Sequence, residues 1–282
     1  MKLMITGAAG MLGRDLMLAA GNAGHDVVGF GRAELDVTDA DALRRKVDIE
    51  RPDVVINSAA WTDVDGAEEA EEAALAVNGT GAGNVAAAAA EVGAAVVHVS
   101  TDYVFDGSKR TPYVESDQPA PLSAYGRTKL AGEGAVVAAN KRHFVVRSAG
   151  LFGVGGNNFV ETMLRLAAAS GEVAVVRDQV GSPTYTWHLA YGIVRLIEGV
   201  EFGIHHMAAA GECSWYDFAR EIYEQAKVDC TVLSVTTEEF GRPAPRPPYS
   251  ALTSQRQHPI RLPSWRDGLA GYLAQRKVEE AA

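Results

Sequence analysis

Lys2-Leu3-Met4-Ile5-Thr6-Gly7-Ala8-Ala9-Gly10-Met11-Leu12-Gly13 opens the chain as a short apolar run. A turn with glycine at every third position follows, and then a helix whose pattern extends to about Ala23. A strand feeding such a turn lets backbone N–H groups approach a pyrophosphate, and the helix N-terminus adds partial positive charge. Glycines at this spacing also serve purely structural turns. The order strand, turn, helix is what points to a bound nucleotide.

Outward from this turn the alternation continues. Strands are expected at His25 to Phe30, Asp53 to Asn57, Ala95 to Val99 and His143 to Ser148, with helical segments between them. That order predicts an α/β fold, a Rossmann-like doubly wound parallel sheet with right-handed crossovers. After the second strand come Gly31 and Arg32, with Glu34 and Asp36 further on. An acidic residue at this strand end would hold ribose hydroxyls, whereas the forked donors of arginine suit a 2′-phosphate. Arg32 therefore favours NADPH while leaving NADH open, and a solvated surface arginine is the plain alternative. Asp36 and Val37 are compatible with an adenine contact. Past the third strand, Ala60, Trp61 and Thr62 could line the pyrophosphate and nicotinamide region, with Trp61 equally well a packing residue. The Ala/Glu-rich run from Gly66 to Val92 reads as helical and contains Asn78; its glutamates read as a solvated face with no metal role.

The fourth strand delivers Ser100-Thr101-Asp102-Tyr103-Val104-Phe105-Asp106-Gly107, and a Pro/Gly-rich loop ends at Ser123, a candidate N-cap. Tyr125-Gly126-Arg127-Thr128-Lys129 follows. A tyrosine four residues before a lysine lies one turn away on the same helix face. An ammonium held close would favour the phenolate and lower a pKa that is ordinarily about 10. A carbonyl clamped by Thr101 and Tyr125 could then exchange a proton while a hydride moves to or from carbon. Such a pair also arises by chance; its place after a strand ending in Ser-Thr, in a chain that begins with a glycine turn, gives it weight.

Beyond Ala149 the alternation loosens. Gly150 to Asn158 is a glycine-rich loop, and helices are expected from about Phe159 to Ala169, Thr186 to Glu198 and Trp215 to Lys227, with short strands at Glu172 to Val176 and Phe202 to Met207. A last amphipathic stretch covers roughly Ser264 to Arg276. Residues 1–148 with approximately 178–202 are expected to form the dinucleotide domain, and 149–177 with 203–282 a smaller α/β substrate-binding lobe. Arg242-Pro243-Ala244-Pro245-Arg246-Pro247-Pro248-Tyr249 is stiff and basic. It could be a surface loop, a cover over a phosphate or a contact for a partner subunit.

A formal charge of −10 over 282 residues argues against nucleic-acid affinity and against a basic membrane face. No apolar run approaches 18 residues and no signal-peptide pattern opens the chain, so a cytoplasmic location is expected. Cys213 and Cys230, the two cysteines, have neither zinc spacing nor a disulfide framework.

Together these motifs resemble the extended short-chain dehydrogenase/reductases and, most narrowly, the dTDP-4-dehydrorhamnose reductases. The likeness continues through Asn57 to Asp65, Gly156 to Val160, Asp178 to Thr184 and Arg246 to Ser250. It implies reduction of the 4-keto group of dTDP-4-dehydro-L-rhamnose to dTDP-L-rhamnose, with a dTDP-linked keto-sugar as substrate and a homodimer as one possibility. By that resemblance Tyr125 is the proton donor, and Lys129 binds the nicotinamide ribose and lowers the tyrosine pKa. Thr101 polarises the carbonyl, while Asp102 and Tyr103 sit beside the sugar or support its pocket. Gly10, Met11 and Leu12 meet the pyrophosphate, Asp36 and Val37 lie near adenine, and Ala60, Trp61 and Thr62 lie further along the cofactor. One departure stands out. The family usually shows Arg-Thr-Ser/Ala-Trp after the fifth strand, its tryptophan against the sugar, whereas this chain has Arg147-Ser148-Ala149-Gly150. Loss of that wall removes on the order of 1–3 kcal/mol of contact, unless another side chain fills the space or the pocket takes a different sugar. A reductase or epimerase for another nucleotide-linked sugar is the second enzymatic reading, and a non-catalytic regulatory subunit is the reading from a different class.

Overall fold

The computed structural model describes residues 1–280. Its first half runs β1 (Lys2–Thr6), α1 (Met11–Asn22), β2 (Asp26–Phe30), α2 (Ala40–Glu50), β3 (Val54–Asn57), the short helices α3 (Gly66–Glu69) and α4 (Glu71–Leu75), α5 (Ala82–Glu91), β4 (Ala95–Thr101), α6 (Ala124–Ala139) and β5 (His143–Ser148). The segment expected to be helical from Gly66 to Val92 is so in three pieces, with a π-helical turn over Ala76–Gly81 joining α4 to α5. Single π turns of this kind often mark functional positions.

The second half runs β6 (Leu151–Phe152), α7 (Phe159–Ala169), β7 (Glu172–Val176), β8 (Val180–Gly181), β9 (Thr184–Tyr185), α8 (Thr186–Leu196), β10 (Gly203–His206), β11 (Cys213–Ser214), α9 (Trp215–Ala226), β12 (Thr231–Val235), α10 (Thr237–Phe240) and α11 (Trp265–Glu280). The main sheet is parallel throughout, in the order β10-β5-β4-β3-β1-β2. The chain reverses its direction of travel across the sheet between β1 and β3, and ligands of such sheets bind in the crevice that this reversal opens at the strands' C-terminal ends.

Strand alternation explains the layers. Leu3, Ile5, Val97 and Val146 face α1 and α8, meeting Leu12, Leu16, Leu189 and Ile193. Met4, Val55, Val96 and Val145 point the other way, onto Leu43, Val47, Val85, Ala86 and Val136 of α2, α5 and α6. A strand covered on both faces has no polar side to show, hence the near-continuous apolar runs. Backbones on the second face approach closely: a Cβ added to Gly132 of α6 would lie 2.1 Å from the Asn78 carbonyl oxygen.

A second core joins Phe152, Val160, Met163, Val175, Phe218, Ile222, Trp265 and Tyr272. Each such side chain contributes roughly 1.5–3 kcal/mol on burial, enough to make the smaller lobe a packed unit. Its sheets are the pairs β7/β12, β6/β9 and β8/β11; β12 is a strand that the sequence reading did not find.

Three short strands differ from the expected division of the chain. Gly203–His206, assigned above to the smaller lobe, extends the main sheet by pairing with Phe144–Arg147. Val180–Gly181 and Thr184–Tyr185, assigned to the dinucleotide domain, pair with strands of the smaller lobe. Strands this short carry little pattern, and their side of the cleft is set by long-range pairing.

Candidate active site

The two units leave between them a cleft of about 990 Å³ at the C-terminal edge of the main sheet. Its floor is the opening turn, where the three glycines have separable causes. Gly7 has φ +70°, and a Cβ there would lie 2.6 Å from the Ala59 nitrogen; one on Gly13 would lie 2.2 Å from the Gly7 oxygen. Gly10 meets only the Gly7 oxygen, at 3.4 Å, and lines the cleft with Met11 and Leu12. So Gly7 and Gly13 close the turn on the segment that follows β3 and on its own helix, and Gly10 leaves the backbone open to a ligand. No side chain caps α1, which leaves its leading N–H groups for an anion. These features fit a dinucleotide pyrophosphate.

Arg32, Asp36 and Val37 border one end of the cleft. The Arg32 side chain is 84% exposed, and its Nε lies 3.7 Å from Asp36 Oδ2. Exposure leaves the side chain able to exchange this ion pair with Asp36 for a phosphate. Asp36 accepts hydrogen bonds from the Thr38 amide and hydroxyl, which hold its carboxyl below the usual range. Ala60, Trp61 and Thr62 form part of the wall. Their position depends on Asn78, a residue to which sequence reasoning gave no role. Asn78 accepts from the Trp61 amide at 2.8 Å and donates to the Trp61 carbonyl at 3.1 Å and to Thr128 Oγ1 at 3.1 Å. The π turn thereby ties the cleft wall to α6, one residue before Lys129.

Thr101, Asp102, Tyr103, Tyr125 and Lys129 all border the same cleft. Ser123 caps α6 by accepting from the Gly126 amide at 3.1 Å, which orients the turn carrying Tyr125. The expectation of a lysine-lowered tyrosine is corrected here. Lys129 Nζ donates to the Val99 carbonyl at 2.7 Å. The Tyr125 phenol is pushed up to about 12, chiefly by burial, with the nearby Thr101 hydroxyl acting the other way and Asp102 adding to the rise. Burial pulls the Lys129 ammonium down to about 8, against the favourable field of Glu133. Helix spacing predicted that the two residues share a face; it carried no information about solvent.

The Thr101 hydroxyl donates to Asp102 Oδ1 at 3.1 Å and accepts from the Tyr103 amide at 3.1 Å. Burial pushes the Asp102 carboxyl up to about 6, while hydrogen bonds from Ser250 and Thr101 resist the rise. Tyr103 stands edge-on to Tyr125, with ring centroids 6.0 Å apart. Ser148, the register partner of Thr101 on β5, also lines the cleft, and its buried hydroxyl has no hydrogen-bond partner among the described residues.

Behind this wall lies a buried ion pair, also missed from sequence. Arg147 donates to both oxygens of Glu133, at 2.9 and 2.7 Å, and Ser100 donates to Glu133 at 2.6 Å. Glu133 is one turn beyond Lys129 on α6, and Arg147 is 1% exposed. A bidentate pair of this kind fixes α6 to β4 and β5 at the point where Thr101 and Lys129 leave them.

Across the cleft, the basic loop is exposed along part of its length but is tied down by its two arginines. Arg246 donates to Asp65 at 2.9 and 3.0 Å, and Arg242 donates to Asp65 at 3.0 Å. These bonds hold the Asp65 carboxyl far below its ordinary value. Both arginines line the cleft. Gly150 lines it too, with φ +52°, and the ring of Trp215 lies beside it.

With this geometry established, likeness to known proteins is informative. The family described as "RmlD substrate binding domain" matches residues 1–278. The chain is 47% identical to the dTDP-4-dehydrorhamnose reductase of Mycolicibacterium smegmatis, over 97% of this chain and 85% of that protein. It is 44% identical to the dTDP-4-keto-6-deoxy-D-glucose reductase of Streptomyces niveus, over 88% and 87%. A crystal structure of the Bacillus anthracis dTDP-4-dehydrorhamnose reductase in complex with NADP superposes with a TM-score of 0.95 at 40% identity, over 97% and 99% of the two chains.

Proposed function

From a chain that belongs to the RmlD substrate-binding-domain family, and so is an NAD(P)-dependent oxidoreductase of the dTDP-keto-sugar reductases, we propose a specific reaction: NADPH-dependent reduction of the 4-keto group of dTDP-4-dehydro-L-rhamnose to dTDP-L-rhamnose. The observation that carries it is the meeting of Thr101, Tyr125 and Lys129 in the wall of the cleft floored by the glycine turn.

The chemistry follows from the protonation states. A phenol pushed up to about 12 keeps its proton at neutral pH, which is the form a ketone reduction needs. The bound cofactor supplies the hydride that adds to the carbonyl carbon. Tyr125 gives its proton to the oxygen as negative charge gathers there, and pre-placed donors stabilise that charge. Thr101 can polarise the same oxygen once its hydroxyl turns from Asp102. Lys129 holds the ribose and lends positive charge to the phenolate left behind. Arg242 and Arg246, fixed by Asp65, are placed to meet a diphosphate. Arg32, exposed and held by a solvated ion pair with Asp36, favours the 2′-phosphate of NADPH.

The test is an assay of dTDP-4-dehydro-L-rhamnose against dTDP-4-keto-6-deoxy-D-glucose, with each nicotinamide cofactor in turn and product identification. Higher kcat/KM with the rhamnose precursor and NADPH is the expected result. Preference for the other sugar would favour the second reading, for which the Streptomyces relative and the glycine at position 150 are the specific grounds. Interconversion without net cofactor oxidation would identify an epimerase.

A further inference from the structure

A glycine at position 150 leaves a gap in one side of the cleft unless something else occupies it. A Cβ on Gly150 would sit 3.2 Å from Cη2 of Trp215 and 3.2 Å from the Pro183 Cα. The backbone there has φ +52°, which L side chains adopt only under strain. Position 150 is therefore closed to a large side chain in two ways, and Trp215 is what closes it in space. Trp215 is the first residue of α9, with its helix entry fixed by Ser214, which accepts from the Asp217 amide at 3.0 Å. Its amide donates to the Gln179 carbonyl at 3.3 Å. Phe159 packs on its ring at 4.6 Å between centroids and Phe218 supports it at 6.2 Å. The indole is thus held by neighbours, yet it remains partly exposed on the cleft side.

Its place along the cleft is set by the main sheet. Gly150 lies two residues past Ser148, and Ser148 is the register partner of Thr101. The indole edge beside Gly150 consequently lies on the side of the cleft where β4 and β5 deliver Thr101 and Ser148. A rigid apolar plane there suits the C–H face and methyl group of a deoxy-sugar, and does not suit a charged or flexible ligand group.

We propose that Trp215 is a specificity-determining residue of this enzyme, its indole forming the apolar wall against the sugar of the nucleotide-linked substrate in the space that a side chain at position 150 would otherwise occupy. This rests on the function proposed above for the identity of the sugar, but not for the division of labour between sugar and nucleotide. Trp215 discriminates sugars; the arginines across the cleft hold the diphosphate whatever the sugar is.

The experiment is calorimetric titration of the wild type and Trp215→Ala, each saturated with NADP⁺, with dTDP and separately with dTDP-L-rhamnose. The expected result is affinity for dTDP-L-rhamnose weakened roughly tenfold, with dTDP and NADP⁺ affinities within about twofold. Trp215→Phe, which keeps an aromatic face, should fall in between. Equal weakening for dTDP and dTDP-L-rhamnose, or no weakening of either, would overturn the proposal. Should Trp215→Ala lose NADP⁺ binding through misfolding, the same comparison on Trp215→Leu decides. If the wild type binds dTDP-L-rhamnose no better than dTDP, the assigned sugar is wrong. The titration is then repeated with the sugar nucleotide that the keto-sugar assay identifies, and an equal response of that ligand and its parent nucleotide would overturn the role of Trp215.

Discussion

The two walls of the cleft are built differently. On the main-sheet side, Thr101 leaves the end of a central strand and Lys129 rises from a helix whose backbone nearly touches the π turn beside it. A buried bidentate ion pair braces both from behind. On the facing side, the groups are on a loop, and side-chain contacts hold it: Arg242 and Arg246 on Asp65, and Ser250 on Asp102. Regular secondary structure positions the reacting groups, whereas the recognition groups depend on a few polar contacts between segments distant in sequence. Substitutions on the first wall should therefore act on turnover or on folding, and those on the second should act on substrate affinity.

The largest effect expected on the first wall is that of Tyr125→Phe. Loss of a positioned proton donor lowers a rate by roughly 10²- to 10⁴-fold, and kcat should fall by that order while NADPH affinity, measured by fluorescence titration, stays near wild type. Glu133→Ala tests the brace. It strands the Arg147 guanidinium in the interior, and breaking a buried pair costs about 3–5 kcal/mol, to be read from chemical denaturation. If stability holds while kcat falls, the pair tunes Lys129 and does not hold the wall.

A pH profile sharpens the same contrast. Lys129 is pulled down to about 8, so its ammonium is present below that pH and is lost as the pH rises through it. The kcat/KM for the cofactor should be flat below this region and decline above it, approaching tenfold per pH unit. A profile flat to pH 10 would separate the ammonium from catalysis. The smallest effect belongs to the second wall. Arg246→Ala removes a charge-assisted contact worth about 1.5 kcal/mol, so KM for the sugar nucleotide should rise on the order of tenfold, with kcat changed less than twofold. A fall in kcat matching that of Tyr125→Phe would erase the distinction between the walls.

What could be read from the sequence divides along the same line. The glycine turn, the Ser-Thr strand end and the Tyr/Lys pair are local patterns, and the structure brings all of them to one cleft. Local spacing could not show that Arg246 meets Asp65 across 181 positions or that Ser250 meets Asp102 across 148. Nor could it show that Gly203–His206 joins the main sheet or that Trp215 lies against Gly150. The tyrosine pKa went astray for a related reason. Helix spacing put Lys129 on the same face, but burial dominates the phenol and Thr101, not Lys129, acts against it; burial is a property of the whole fold.

The central claim is that Tyr125 delivers the proton to the reacting oxygen. The most direct measurement is a crystal structure of the protein with NADP⁺ and dTDP-L-rhamnose. The account predicts the Tyr125 hydroxyl within about 3.2 Å of the sugar O4, with the Lys129 ammonium on the nicotinamide ribose. A well-ordered complex in which another side chain occupies that place, and Tyr125 points away from the sugar, would contradict it.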